Sequence, residues 1–411
     1  MKHKLYKLTA ALLLALLLVG AASAAGGSGT VDDPYIIQTP AELQSVQNDL
    51  SAYYVLANDI DMSGFDFVPI GSSDNPATTA FHGSLDGNGH TIRNLNIDLP
   101  EQNYVGLFAV IYIGATISDL NFENCTITGN QNVGVLYGRC NGASGTTTEF
   151  SISDVDIENC TVSAGSAYVG GICGSNGNSA MGTISYCDAD NCLIESTGSI
   201  IVGGICGYLS YGGSTNVEII DCSVVGSEIR SPGSYSVGGI CGSLSAGGSN
   251  GYAYNCIVRN CHIWAGSANV GGICGLLSDG GSNGYAYNCI VEGCLIESTG
   301  RNIVGGICGY LSYGGSTVGL VENCVVRNCI MAGSAYVGGI CGYLSYGGSN
   351  GNANDNVVEN CTVRARNSYA GGIAGCKYAA GFGNLSGNSV SSTTILASSY
   401  AGGICSTFTR T

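Results

Sequence analysis

The sequence predicts an all-β protein whose chain winds into a parallel β-solenoid of about ten coils, with a capping segment at its N-terminal end. Three observations lead to this fold class. A glycine-rich motif recurs at nearly constant spacing, the segments between its copies alternate apolar and polar residues, and 66 of the 411 residues are glycine. A fixed period of about 20 to 50 residues is typical of stacked repeats, and short alternating segments rich in β-branched residues are typical of strands.

The repeating motif is Val-Gly-Gly-Ile-Cys-Gly, and successive full copies begin 33 to 35 residues apart. The full copies begin at Val169, Val202, Val237, Val270, Val304 and Val337, and weaker copies begin at Val105, Val133, Ala370 and Ala401. Each unit has room for three short strands and three turns, which together make one coil. Parallel hydrogen bonds between coils would then stack equivalent residues about 4.8 Å apart.

The first residues have the pattern of a signal peptide. Lys2, Lys4 and Lys7 precede an apolar run over residues 8–19, and Ala22-Ser23-Ala24 supplies small residues for cleavage. The run is shorter than the roughly 20 apolar residues that a membrane span requires. We therefore predict a signal peptide at residues 1–24, a secreted mature protein and no transmembrane anchor.

The segment 25–100 is predicted to be a cap, and residues 101–411 to be the cysteine-rich repeats. The cap contains no cysteine. Thr39-Pro-Ala-Glu42 has the form of a capping box with proline at the first helical position, which predicts a short helix. Strands are expected over Tyr53–Ile60 and His90–Ile97. Such a terminal unit would cover the open edge of the first coil.

The net charge excludes some classes of partner. Removal of the signal peptide takes away three lysines and no acid, so the net charge of −16 becomes −19. A surface of that sign repels phosphate, and we expect neither nucleic acid nor anionic membrane as a partner. The chain contains 21 cysteines. In an exported protein this density suggests disulfides, and the odd number of cysteines suggests at least one free thiol or one bond to another chain.

Two sets of segments resemble a known family. The lead-in segments are Gly29-Thr-Val-Asp-Asp-Pro-Tyr-Ile-Ile37, Tyr54-Val-Leu-Ala-Asn-Asp-Ile-Asp-Met62, Phe67-Val-Pro-Ile-Gly71 and Leu85-Asp-Gly-Asn-Gly-His-Thr-Ile92. Together with the Gly-Gly-Ile-Cys-Gly cores, they resemble the GLUG-motif surface proteins over nearly the whole mature chain. The resemblance implies a right-handed parallel β-helix on a microbial surface. This chain departs from the family by placing cysteine where an aliphatic residue is usual, and by analogy this suggests the proteinaceous sheath of methanogenic archaea.

Nineteen of the cysteines fall into three columns. The first column follows Gly-Gly-Ile and contains Cys173, Cys206, Cys241, Cys274, Cys308, Cys341 and Cys405. The second contains Cys125, Cys160, Cys192, Cys261, Cys294, Cys329 and Cys361. The third lies five residues before the second and contains Cys187, Cys222, Cys256, Cys289 and Cys324. Cys140 and Cys376 lie outside these columns.

Stacking within a column brings cysteines inside the Cα separation of about 4.4–6.8 Å that a disulfide requires. The predicted bonds are Cys173–Cys206, Cys241–Cys274, Cys308–Cys341, Cys256–Cys289 and Cys261–Cys294. Cys140, Cys376 and Cys405 are the candidates for bonds to another chain. The alternative is that the columns are stacks of small buried thiols without bonds. No Cys-x-x-Cys pair is present, so no metal site is predicted at the cysteines.

Both faces of the Val-Gly-Gly-Ile-Cys-Gly strand are apolar or bare. Either a second layer covers the outer face, or the glycine pair makes an ordinary bend. Recurring tyrosines, such as Tyr208, Tyr211, Tyr310 and Tyr313, pack along a corner of the solenoid or form a surface ladder that binds sugar or a protein.

The functional prediction is a secreted structural protein of a cell envelope, a sheath or surface layer, that self-associates into a disulfide-reinforced multimer. Other envelope proteins or polysaccharide are possible further partners, and no cofactor is expected. The chain stops six residues after Cys405, which predicts an uncovered strand edge that recruits another strand. An adhesin or carbohydrate-binding β-helix is the alternative.

A polysaccharide-degrading β-helix enzyme is the third functional hypothesis. The residues do not favour it, and we predict no enzymatic activity. Acids in the repeats are scattered, and neither a nucleophile elbow nor a phosphate loop is present. Asp59 and Asp61 are weak candidates for calcium. Sequons begin at Asn124, Asn159, Asn360 and Asn384. Three of them have cysteine in the middle and are expected within strands, which argues against their use.

Overall fold

The computed structural model describes residues 26–411, apart from 199–200, 214, 234, 268, 301–302, 316, 379–381, 407 and 410–411. The predicted signal peptide lies outside the described residues. In the described part, parallel strands stack into a β-solenoid of about ten turns, which confirms the predicted fold class. Three faces make up each turn, and neighbouring strands of one face run parallel to each other.

Face 1 begins each regular coil, and its described strands come mostly in pairs separated by a corner. They are Tyr35–Ile37, Tyr53–Leu56, Ile60–Asp61, Ser84–Asp86, Thr91–Arg93, Thr116–Glu123, Phe150–Glu158, Met181–Ser185, Asp188–Asp190, Asn216–Ile220, Ser223–Val225, Asn250–Tyr254, Ile257–Arg259, Asn283–Tyr287, Ile290–Glu292, Val318–Glu322, Val325–Arg327, Asn350–Asn354, Val357–Glu359, Leu385–Ser386 and Ser389–Ser391.

Face 2 follows, and its last strands carry the Val-Gly of the motif. Its described strands are Asn96–Val105, Thr126–Val133, Thr161–Gly170, Leu193–Ser196, Ile201–Gly203, Glu228–Ser231, Ser236–Gly238, His262–Ala265, Asn269–Gly271, Leu295–Ser298, Ile303–Gly305, Ile330–Gly333, Tyr336–Gly338, Thr362–Ala365, Tyr369–Gly371, Thr394–Ala397 and Tyr400–Gly402.

Face 3 closes the coil, and most of its strands begin at the cysteine of the motif. Its described strands are Phe108–Tyr112, Tyr137–Asn141, Cys173–Gly177, Cys206–Tyr211, Cys241–Ala246, Cys274–Asp279, Cys308–Tyr313, Cys341–Tyr346, Ala374–Tyr378 and Phe408–Thr409. A regular coil therefore has five strand segments, because corners divide two of the three expected strands.

The N-terminal segment contains the predicted short helix. Helix α1 spans Pro40–Ser45, and the Thr39 hydroxyl accepts a hydrogen bond from the Glu42 N–H while the Glu42 carboxylate accepts one from the Thr39 N–H. A 3₁₀ turn follows at Val46–Asn48, and a second short helix, α2, spans Pro76–Thr79. The strand Asn96–Val105 runs across the predicted boundary at residue 100, so the cap and the repeats share one parallel lattice.

The expected strand over Tyr53–Ile60 is Tyr53–Leu56 followed by a corner, with Ile60–Asp61 beyond it. The expected strand over His90–Ile97 is likewise divided, at Asn94, where the backbone has φ +58°. One continuous hydrophobic core runs through the coils from Ile37 to Ala374.

The same chain covers the outer side of the Val-Gly-Gly-Ile-Cys-Gly segment. A Cβ on Gly203 would lie 2.6 Å from the Cα of Cys241, and a Cβ on Gly242 would lie 2.8 Å from the backbone nitrogen of Val202. The strands of successive coils therefore pack backbone against backbone, and glycine alone leaves enough room. Tyr208 and Ile201 form a small second core outside this contact.

Candidate functional site: the cysteine columns

The first cysteine column lies on face 3, and its members are in register from coil to coil. Cys173 pairs with Cys206, and the pairing continues in the same register to Cys241, Cys274, Cys308 and Cys341. Ala374 follows Cys341, and an isolated bridge joins Ala374 to Cys405. The stacking that the repeat predicted is therefore present for this column.

The second and third columns lie at corners of the coil. The residue before each of these cysteines has a positive φ where the chain turns. Before the second column these residues are Asn124, Asn159, Asn191, Asn260, Gly293, Asn328 and Asn360, and before the third they are Tyr186, Asp221, Asn255, Asn288 and Asn323. Asparagine and glycine are the residues that adopt this conformation most readily. The recurring Asn-Cys dipeptide thus encodes a corner.

The thiols at these corners satisfy backbone groups. The backbone N–H of Cys125 donates to the sulfur of Cys160 at 3.4 Å, and the N–H of Cys294 donates to the sulfur of Cys329 at 3.4 Å. The Cys160 thiol in turn donates to the carbonyl of Glu158 at 3.3 Å. The sulfurs of six corner cysteines accept a backbone N–H of the coil before them, and they are Cys160, Cys192, Cys222, Cys294, Cys324 and Cys329.

Oxygen replaces sulfur where a column has a gap. The Cys192 N–H donates to the hydroxyl of Ser227 at 3.0 Å, and the Cys361 N–H donates to the hydroxyl of Thr393 at 3.3 Å. In the third column, the Cys324 N–H donates to the side-chain oxygen of Asn356 at 2.9 Å. The corner therefore selects a small side chain with an acceptor atom, because a buried N–H without a partner costs free energy. Sequence reasoning missed this role, although Ser227 and Thr393 in the gaps were a signal for it.

Burial controls the chemistry of the first-column thiols on face 3. Twenty of the cysteines are buried, and Cys405 is partly exposed. Burial raises the pKa of Cys241, Cys274 and Cys308, and the neighbouring thiols raise it further for Cys274. The thiolate is the reactive form in disulfide exchange. These thiols are therefore slow to react unless a coil opens or oxidation accompanies folding.

The structure brings together the partners of every predicted bond, and it contains them as thiols. Three pairs are register partners on face 3. The N–H of Cys261 donates to the sulfur of Cys294 at 3.5 Å. Contact with the thiol of Cys289, together with burial, raises the pKa of Cys256. The bonds themselves stay predictions.

The three candidates for inter-chain bonds have different surroundings. Cys140 is fully buried on face 3. Cys376 is 1% exposed and stacks in register beside Tyr343, in an outer hydrophobic cluster separate from that of Tyr208. Cys405 is the member of the three that solvent reaches in the folded structure. A bond from either of the other two to another chain would require a coil to open.

The two calcium candidates, Asp59 and Asp61, have hydrogen-bond partners within the fold. Asp59 accepts a hydrogen bond from Arg93 at 2.8 Å and lies 3.4 Å from the ring of His90. Hydrogen bonds from Asn94 and then from Ser63 lower the pKa of Asp61 to about 2. Among the described residues, no group of three or more His, Cys, Asp and Glu side chains has the geometry to hold a metal ion.

A shallow acidic cavity of about 230 Å³ lies on face 1. Asp156, Asp188 and Asp190 line it. Burial and then the charge of Asp188 raise the pKa of Asp156 to about 6. The Asp156 carboxylate accepts a hydrogen bond from the Asp188 N–H at 3.1 Å. This acidic cavity is a place where ionisation opposes folding.

The recurring tyrosines occupy both expected positions, some packed against the solenoid and others at its surface. Tyr310 and Tyr343 are buried in a further outer cluster, with Leu276 and Cys376, and their rings stack at 4.9 Å. Tyr211, Tyr313 and Tyr346 are 46%, 42% and 41% exposed, and the last two stack at 5.4 Å. The motif therefore supplies one packing tyrosine and one surface tyrosine in the same strand.

The chain resembles parts of two larger proteins, and no family model matches it. It is 38% identical over 138 residues to halomucin of Haloquadratum walsbyi, a match that covers 29% of this chain and 2% of halomucin. It is 35% identical over 112 residues to a protein of Evansella cellulosilytica provisionally named a Gly-rich membrane protein, covering 25% of this chain and 12% of that protein. The chain thus matches a small part of each relative.

A solved structure also resembles the solenoid. It is a Bacteroides ovatus protein provisionally named an immunoglobulin A1 protease, with a TM-score of 0.46 and 20% identity over 74% of this chain and 78% of that one. A likeness at this level carries nothing about activity. Among the described residues, no helix has the length and hydrophobicity needed to cross a membrane.

Proposed function

We propose that this protein is an exported structural component of a cell envelope, of the sheath or surface-layer type, whose solenoids are reinforced and joined by disulfides. The single observation that carries the proposal is the stacking of cysteines along the solenoid axis, in register on face 3 and in contact at the corners. The names of the two relatives, a halomucin and a membrane protein, support a place at the cell surface.

The mechanical reason lies in the direction of the predicted bonds. Successive coils are held together by backbone hydrogen bonds and core packing, and a solenoid unfolds most easily by losing coils one after another. A bond such as Cys241–Cys274 would join two coils along that direction. Each bond would close a loop of 33 residues, which restricts the unfolded chain and stabilises the coil.

Joining of molecules requires an accessible thiol. Cys405 is partly exposed, and it lies next to Ile404, which is 42% exposed. Leu396 in the same last coil is 49% exposed. A reachable thiol beside exposed apolar side chains supports a contact that association would bury. Nothing in the proposal requires a catalytic step or a cofactor.

Gel electrophoresis of native material with and without reductant tests the proposal. We expect large multimers that become monomers on reduction. A Cys405→Ser variant should lose the inter-chain bonds, whereas Cys376→Ser, which changes a buried cysteine, should keep them. A monomer in both lanes would contradict the structural role.

Carbohydrate binding is the second candidate, and the exposed tyrosines favour it. Tyr313 and Tyr346 form a stacked pair at the surface, and a sugar would contact the exposed edges and hydroxyl groups of the two rings. Cosedimentation with envelope polysaccharide measures this activity. Replacement of both residues by alanine should abolish it, whereas Tyr53→Ala, which changes another exposed tyrosine, should not.

A further inference from the structure

Three sequons share one position in the coil. Asn124-Cys-Thr126, Asn159-Cys-Thr161 and Asn360-Cys-Thr362 each begin at the corner that precedes the second cysteine column. The sequence pattern predicts that these asparagines lie within strands. In the structure each asparagine lies outside a strand, with φ between 51° and 56°.

The corner separates the asparagine from the cysteine that follows it. Asn124, Asn159 and Asn360 are exposed, whereas the next residue is buried in every case. The three threonines open the next strand on face 2. The cysteine therefore turns into the core while the carboxamide points outward, and an attached group would extend into solvent without displacing the fold.

Backbone contacts hold the corner and leave the carboxamide at the surface. The N–H of Asn124 donates to the carbonyl of Glu158 at 3.0 Å, and that of Asn360 donates to the carbonyl of Ser391 at 3.1 Å. The Asn124 carboxamide makes a long bond of 3.3 Å to its neighbour Glu123. The Asn360 carboxamide donates to the side-chain oxygen of Asn328 at 2.7 Å. Because each carboxamide nitrogen carries two hydrogens, one of them can be exchanged for a sugar while the other keeps this bond.

We propose that Asn124, Asn159 and Asn360 are acceptors for N-linked glycans. The carboxamide nitrogen Nδ2 forms a bond to the anomeric carbon of a saccharide carried on a lipid-linked phosphate. The bond between that carbon and the phosphate oxygen breaks, the nitrogen loses one proton to solvent, and the lipid phosphate leaves. Because Asn124 and Asn159 lie in adjacent coils about 4.8 Å apart, we expect their glycans to crowd each other and each site to be partly occupied.

The same corner supplies matched controls. Asn191, Asn260 and Asn328 are also exposed and have positive φ, but Leu, His and Ile stand where a sequon needs Ser or Thr. Thr126 is exposed, so Thr126→Val removes the first sequon without touching the corner. Asn191→Gln changes an equivalent corner residue and removes no sequon.

Trypsin separates the three acceptors. Cleavage after the arginines gives peptides 94–139, 140–230 and 328–364, each with a single sequon. Mass spectrometry of protein purified from the organism that makes it should show all three peptides with saccharide masses and sugar fragment ions. In the same cells, Thr126→Val should remove the glycosylated form of 94–139 completely, and Asn191→Gln should leave that form unchanged.

Recovery of all three peptides only at their bare polypeptide masses, with no saccharide-bearing form of any of them, would overturn the proposal. A glycosylated 94–139 peptide in the Thr126→Val variant would overturn it as well. The result is independent of the disulfides, because peptide masses are measured after reduction. Multimers without glycans would support the structural role and contradict glycosylation, and glycans on a monomer would do the opposite.

Discussion

Replacement of Cys173 and Cys206 by alanine, singly and together, tests whether the first column is a disulfide ladder. The two residues are register partners in adjacent strands of face 3, and both are fully buried. In the predicted pairing they share one bond. Cys241 is the other register neighbour of Cys206, and in that pairing it belongs to a different bond.

The size of the effect follows from the loop that the bond closes. For the 33 residues between Cys173 and Cys206, the chain-entropy relation gives about 4 kcal/mol. Loss of one buried sulfur costs about 1 kcal/mol. Each single variant should therefore lose about 5 kcal/mol, and the double variant about 6 kcal/mol, so the two changes are coupled by about 4 kcal/mol. The pair Cys206 and Cys241 should be additive.

Hydrogen exchange in the strands Cys173–Gly177 and Cys206–Tyr211 is the assay, because it reports the opening of individual coils. A difference of about 4 kcal/mol corresponds to about a thousandfold change in protection. Reductant should lower protection in the wild type by that factor and leave the single variants unchanged. A small coupling energy that is equal for the Cys173/Cys206 and Cys206/Cys241 pairs, together with no effect of reductant on protection, would refute the disulfide ladder. The column would then be a stack of thiols.

Three further predictions concern the glycines, the corners and the acidic cavity. Gly272→Ala places a Cβ 2.1 Å from a backbone oxygen and should lower the free energy of unfolding by about 3 kcal/mol or more. Gly213→Ala places a Cβ with nothing closer than 4.0 Å and should change that free energy by less than about 0.5 kcal/mol. Equal melting temperatures for the two variants would contradict the close packing of backbones. In reduced protein, Cys329→Ser keeps an acceptor for a backbone N–H and should lower the free energy of unfolding by less than about 1 kcal/mol. Cys274→Ser places a hydroxyl in the core and should lower it by about 1–3 kcal/mol, as measured by urea unfolding. The reverse order would exclude the role of the corner thiols as acceptors. Burial and a neighbouring carboxylate raise the pKa of Asp156 to about 6 from 3.8, so its ionisation lowers stability as pH rises through that interval. After allowance for solvent screening, Asp156→Asn should stabilise the protein by about 1–2 kcal/mol at pH 7.5 and by nothing near pH 3.5, and a gain that does not depend on pH would contradict the assignment.

The repeat made the fold class and the first column predictable. In a parallel solenoid, residues one period apart in sequence become neighbours in space. The spacing of Cys241 and Cys274 in the sequence therefore predicts that they are register partners, and the structure confirms this. The helix at Pro40–Ser45 was predictable for a different reason, because a capping box acts within four residues of chain.

The corners were not predictable from periodicity. Alternation of apolar and polar residues tells which side of a strand faces the core, but a single residue with positive φ ends the alternation and turns the chain. Asn124 and Asn360 lie at such turns, and for this reason their exposure contradicts the expectation that they lie within strands. The covering of Gly203 by the strand of Cys241 depended likewise on how closely two backbones approach.

The sequence by itself thus determined the solenoid, its period and the residues that stack, because these depend on regular repetition along the chain. The tertiary structure decided which atoms each cysteine touches. The sulfur of Cys160, for example, accepts a hydrogen bond because the corner of the coil before it presents the N–H of Cys125 at that point. The tertiary structure also decided which thiols solvent reaches: burial is a property of the assembled coils, and it distinguishes Cys405 from Cys140 and Cys376.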